Sequence, residues 1–202
     1  RANSRYARPG RTRKSPLLWG NDIIVEAMRI CRKKGRLESI RYLSHAIRNR
    51  FHAEGLIMRG WLLLQENRLE EAQRDYESII KIGTDGNVSV NILSCANRGM
   101  ACVCSEKGNF SQAKAFLATA QVTDVDKYPT LICQGLVYAK YNKVFEIEQI
   151  SADLESVNNN IPHGMFLRAQ ARYRWGLRKV AIEDLETCIK MCISMEVVPG
   201  HL

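Results

Sequence analysis

Apolar residues recur along this chain at helical spacing, in short blocks that come in pairs. In one block Leu56, Gly60, Leu63 and Leu64 share a face; in the next, Leu69, Ala72, Tyr76, Ile79 and Ile80 do. Polar Glu66-Asn67-Arg68 lies between them, which predicts two antiparallel helices joined by a tight turn. Gly or Asn stands at the turn of every pair: Gly35, Asn67, Gly108, Asn142 and Gly176, at intervals of 32, 41, 34 and 34 residues. Both residue types accept the left-handed backbone that closes a helix. The pattern therefore predicts a repeated helical hairpin.

Numbering each pair from its turn residue exposes a register. Seven positions before the turn come Met28, Gly60, Ala101, Gly135 and Ala169, four of them tiny. Small residues let two helix backbones approach. Five positions after the turn come Ile40, Ala72, Ala113, Ile147 and Ala181; twelve after it, Ile47, Ile79, Ala120, Leu154 and Cys188. Two after it come Leu37, Leu69, Phe110, Val144 and Arg178, of which only the last is polar. Pro129 and Pro162 mark helix starts, where a missing N–H costs nothing. Gly83-Thr84-Asp85-Gly86-Asn87 reads as a loop and accounts for the interval of 41.

These features predict an all-α fold: a right-handed superhelical stack of about five antiparallel helical hairpins. The expected organisation is a basic arm over residues 1–20 and a repeat domain over 21–198. Its units fall near 21–52, 53–93, 94–127, 128–161 and 162–196.

The register resembles the tetratricopeptide-repeat family. The best matches are Gly60…Asn67…Ala72…Tyr76, Ala101…Gly108…Phe110…Ala113…Ala120 and Ala169…Gly176…Ala181…Leu185. Five units fall in one register at a period near 34 residues; pentatricopeptide, HEAT and Sel1-type arrays are the rivals, and the small-residue pattern fits them less well. The usual early aromatic of each unit is replaced by Ile24, Leu56, Asn97, Leu131 or Met165, and the closing Pro is absent.

The resemblance implies a concave groove lined by the first helix of each hairpin, holding a segment of a partner protein. On that reading Ile57, Trp61, Ile132, Leu136, Phe166 and Tyr173 grip the segment, because aromatic and apolar side chains anchor such contacts. Arg29 supplies positive charge at the N-terminal end, and Arg98 and Arg174 fix acidic flanks. The chaperone-tail clamp known in this family needs Lys and Asn at set places. Val25, Arg29, Met58, Pro129 and Cys133 stand there instead, so that use is not expected.

Charge adds one element. The net charge is +9, and six of those charges, Arg1, Arg5, Arg8, Arg11, Arg13 and Lys14, precede any acid. Such an arm suits an acidic protein surface or a nucleic-acid backbone. Pro9, Gly10 and Pro16 would break the amphipathic helix of a mitochondrial targeting peptide. No apolar run is long enough to span a membrane.

Seven cysteines, an odd number in a chain of this length, argue against a secreted disulfide framework and for a reducing, intracellular compartment. The cytoplasm is the expected place, with ciliary and other organellar assemblies left open. Cys102-x-Cys104 and Cys188-x₃-Cys192 lie within predicted helices and read as packing residues, so no metal or cofactor is expected. His45, His52, His163 and His201 stand in no catalytic arrangement, and no phosphate loop appears. The last helix carries Val180, Ile182, Leu185, Ile189 and Ile193 on more than one face, so a neighbour, a second copy or further chain is expected to cover it. The function expected is non-catalytic scaffolding in a larger assembly, with an RNA-associated subunit as the alternative.

Overall fold

The computed structural model describes residues 20–48, 51–83, 86–157 and 162–196. The basic arm, Arg1, Arg5, Arg8, Arg11, Arg13 and Lys14, lies outside the described residues. The described residues form ten α-helices and no strand. They pair as α1 (Gly20–Lys34) with α2 (Arg36–Ala46), α3 (Ala53–Gln65) with α4 (Leu69–Gly83), and α5 (Val90–Glu106) with α6 (Phe110–Thr123). α7 (Tyr128–Lys140) pairs with α8 (Val144–Val157), and α9 (His163–Arg174) with α10 (Arg178–Glu196).

All five turn residues adopt the left-handed region, with φ of 92° at Gly35, 56° at Asn67, 82° at Gly108, 58° at Asn142 and 81° at Gly176. In the last four turns the following residue donates its N–H to the carbonyl five positions back. These bonds are Arg68 to Leu63 (2.9 Å), Asn109 to Cys104 (2.8 Å), Lys143 to Tyr138 (3.0 Å) and Leu177 to Arg172 (2.9 Å). Each satisfies a carbonyl that the ending helix would leave unpaired. The next helix then starts at once, which forces the two helices antiparallel.

The register positions form the core. All five residues at the place five after the turn are buried, from Ala72, Ala113 and Ile147 with no exposure to Ile40 at 4%. So are all five at the place twelve after it. Of the small positions, Gly60, Ala101, Gly135 and Ala169 are buried, while Met28 is exposed. Leu37 is exposed as well.

The odd-numbered helices touch one another in sequence: α1 on α3, α3 on α5, α5 on α7 and α7 on α9. The even-numbered helices pack only on odd ones. Two layers thus arise, an inner wall of α1, α3, α5, α7 and α9 and an outer rank behind it, giving an all-α helical-repeat solenoid. α5 departs from the expected layout. It begins at Val90, about one turn before Ser94, so part of the 41-residue interval is helix rather than loop.

Candidate partner-binding groove

The inner wall carries an open cavity of 890 Å³ across α1, α3 and α5, lined also by Pro129 and Cys133 of α7. α1 supplies Ile24, Val25 and Met28; α3 supplies Ile57, Met58, Trp61 and Leu64; α5 supplies Ile92, Cys95, Arg98 and Cys102. Trp61 is 53% exposed and Val25 64%, so large apolar groups face outward along this wall. Patches of this kind on a folded protein mark contact surfaces.

Tyr76 belongs to α4, yet it reaches this cavity. Two glycines let it through. A Cβ on Gly60 would stand 2.8 Å from Tyr76 Cζ, and one on Gly99 would stand 2.4 Å from its Cε1 and Cζ. No larger residue fits at either place with the ring where it is. Burial pushes the Tyr76 hydroxyl far above the usual phenol range, so it stays protonated. The sequence pattern assigns Tyr76 to the second helix's packing face and misses this role. The signal that carries it is a glycine inside each of two helices, at a cost of about 1 kcal/mol apiece relative to Ala.

Of the groove residues expected from sequence, Ile57, Trp61 and Arg98 gather in the cavity. Arg29 lines a smaller adjoining recess of 470 Å³ with Arg32 and Lys33, and the two recesses share Val25 and Met28. Arg29 is paired with Glu26 (2.7 and 2.5 Å), and this bond holds the Glu26 carboxyl below its usual range. Arg32 and Lys33 have no ion-pair partner among the described residues, and both are exposed. The basic end of the groove therefore rests on these two as much as on Arg29.

The remaining expected residues lie beyond the cavity, on α7 and α9. Leu136 (51%), Phe166 (39%) and Tyr173 (63%) are exposed, and Ile132 is half-buried against the core of the fourth hairpin.

Arg98 and Arg174 are engaged within the chain. Arg98 Nη1 donates to both oxygens of Asp124 (2.8 and 2.7 Å), to Ser94 Oγ (3.0 Å) and to Thr130 Oγ1 (3.2 Å). Ser94 and Thr130 also donate to Asp124. This network binds α5 to the C-terminal cap of α6 and the first turn of α7. Arg174 donates to the Ala139 carbonyl at the end of α7. The physical reason is that the buried Asp124 carboxylate at the cap of its own hairpin stabilises the Arg98 guanidinium, while Arg174 meets the carbonyl at the end of the preceding hairpin's first helix.

A second exposed strip runs along α10. Ile182 (55%), Leu185 (37%), Ile189 (57%) and Ile193 (58%) recur at helical spacing, while Ala181, Asp184 and Cys188 face α9.

Residues 53–82, the α3–α4 hairpin, match the family model of the tetratricopeptide repeat. That hairpin is similar to a tetratricopeptide repeat. Solved structures agree on the fold. A tetratricopeptide-repeat protein from Parabacteroides merdae aligns over 84% of this chain at 18% identity and a TM-score of 0.57; the chain spans 65% of that protein's length. MamA 41-end from Desulfovibrio magneticus RS-1 aligns over 87% at 15% identity and a TM-score of 0.59, with 96% of its own length covered. A double mutant of MamA RS-1 aligns over 89% at 13% identity and 0.58, with 97% covered. Among curated proteins no sequence matches. The shared fold agrees with the inner and outer helix ranks described above.

Proposed function

We propose that this chain is a non-catalytic scaffold or adaptor subunit that holds a segment of a partner protein in the groove over α1, α3 and α5. The observation that supports it best is Trp61, a half-exposed indole at the centre of an apolar cavity of 890 Å³. Trp is the side chain most often found to dominate interface energetics. Ile57, Met28 and Val25 extend the apolar contact, and Arg29, Arg32 and Lys33 at one end favour an acidic residue there. Leu136, Phe166 and Tyr173 continue the track for a longer segment. Arg98 and Arg174 hold the wall in shape rather than the ligand.

The exposed face of α10 supports membership of an assembly, since it offers a second apolar surface. No helix of the described residues is long and apolar enough to cross a membrane. A reducing intracellular compartment fits the seven free thiols of the sequence.

Trp61→Ala tests the reading. Loss of an exposed side chain leaves stability within about 0.5 kcal/mol. Circular dichroism and melting should stay at wild-type values while partner recovery falls at least tenfold. Recovery at wild-type levels by the folded variant contradicts it. Raising salt separates this from phosphate-driven RNA binding through the arm, which weakens steeply.

A further inference from the structure

Cys102 of α5 and Cys133 of α7 face each other across the junction between the third and fourth hairpins, with their sulfur atoms 3.5 Å apart. Both line the groove. They lie 31 residues apart in sequence and on different hairpins, so their meeting is a product of the stacked fold. The Cys133 thiol also approaches the Arg98 carbonyl at 3.7 Å, which keeps it at the α5 surface. Cys102 is partly exposed and Cys133 lies beneath it, nearly buried.

The other thiols differ. Cys31 packs against the core of the first hairpins, Cys95 Sγ accepts a hydrogen bond from Arg98, and Cys104 is buried against Gln112. Cys188 and Cys192 also hydrogen-bond, but four residues apart on one helix, where a bond would join no two elements. The sulfurs of Cys102 and Cys133 need to close by only about 1.5 Å to reach bonding distance.

We propose that Cys102 and Cys133 are a redox-responsive dithiol, which a peroxide converts to a disulfide stapling α5 to α7 at the floor of the groove. Cys102 is the attacking sulfur, because it is the one a small oxidant reaches. The hydrogen bond from Cys133 holds its thiol below the usual range, and Arg98 adds to that. Its thiolate attacks one peroxide oxygen, the O–O bond breaks, and hydroxide leaves and takes up a proton as water. Cys102 is then a sulfenic acid. The Cys133 sulfur attacks it, the S–O bond breaks, and a second water leaves with the Cys133 proton. Two thiols and one hydrogen peroxide thus give one disulfide and two waters. A thiol reductant reverses the bond by exchange.

The consequence is mechanical. In the reduced chain α5 and α7 are held by packing and hydrogen bonds; in the oxidised chain their junction is covalent. The inference concerns the two thiols alone and does not depend on what the groove holds.

The experiment treats the reduced full chain with hydrogen peroxide under native conditions, caps the remaining thiols, and maps tryptic peptides by mass spectrometry. The expected result is a linked species joining residues 99–107 to residues 128–140, with fragmentation placing the bond on Cys102 rather than Cys104. Dithiothreitol should abolish it. Cys133→Ser should stop the reaction at a Cys102 sulfenic acid, captured by a dimedone probe, and Cys102→Ser should lose both products. The proposal is overturned if Cys102 and Cys133 remain capped like the buried Cys104 after peroxide, or if linked peptides join other cysteine pairs in preference. The wild-type map stands as a test even where a serine variant fails to fold.

Discussion

Arg59 and Asp75 meet in a two-point ion pair, Nε to Oδ2 at 2.8 Å and Nη2 to Oδ1 at 2.5 Å. Arg168 and Asp184 repeat it three hairpins later, at 3.3 and 3.0 Å. In both hairpins the Arg stands eight residues before the left-handed turn residue and the Asp eight after it. Each Arg also reaches back to the preceding hairpin, Arg59 to Ser44 Oγ at 3.1 Å and Arg168 to Glu155 at 2.6 Å. One guanidinium thus locks its own two helices and joins them to the hairpin before.

Removing one partner of such a pair leaves the other buried without its counter-charge, at a cost of about 3 kcal/mol or more. Asp75 is only 4% exposed. Arg59→Ala should therefore lower stability by about 3 kcal/mol, and Arg59→Met with Asp75→Leu together should recover most of it. Urea unfolding followed by circular dichroism checks both; equal losses in the single and the double variant would contradict the pair's role.

Gly99→Ala should cost about 1–3 kcal/mol, the range for overpacking a filled core. The added methyl would meet the Tyr76 ring at 2.4 Å, closer than the 2.8 Å at Gly60, so Gly99→Ala should be the worse of the two. In a Tyr76→Leu background the penalty should shrink. A double-mutant cycle measures this, and a coupling near zero would place the strain elsewhere.

Asn142 holds φ of 58°, in the left-handed region. Asn142→Gly should leave the melting temperature unchanged or slightly raised, whereas Asn142→Ala should cost about 1 kcal/mol for the left-handed backbone. Equal melting temperatures for the two variants would remove the turn's conformational demand from the account.

Much of the fold was legible because its determinants are local. Gly35, Asn67, Gly108, Asn142 and Gly176 end helices by backbone sterics alone, and the apolar places five and twelve after them must bury when two helices pair. The groove was legible only in part. The register places Arg98 on the inner wall, and it is there. Its partner Asp124 stands 26 residues on, at the cap of α6, so sequence spacing gave no sign that the charge is met inside the chain. Arg174 meets a carbonyl 35 residues back for the same reason. Tyr76 reads as core until Gly60 and Gly99 are seen to flank one ring. The Arg59–Asp75 and Arg168–Asp184 pairs leave a charge pattern eight places either side of the turn in two of the five units, which a register built on apolar positions passes over.

The α10 strip should bind an apolar dye in the isolated chain, because Ile182, Ile189 and Ile193 are each more than half exposed. Ile189→Glu should reduce that fluorescence and any concentration-dependent self-association without lowering helix content. Unchanged dye binding would mean that the strip is covered in solution.

Chemical cross-linking of the native complex, read by mass spectrometry, tests the groove most directly. Lys33 lies on the groove side of α1, while Lys81 and Lys114 lie on the outer helices α4 and α6. The account predicts partner links at Lys33 on α1 and Lys140 on α7, inner-wall lysines at either side of the cavity, lost on Trp61→Ala. Links confined to Lys81, Lys114 and the other outer-helix lysines, with none on the inner wall, would contradict it.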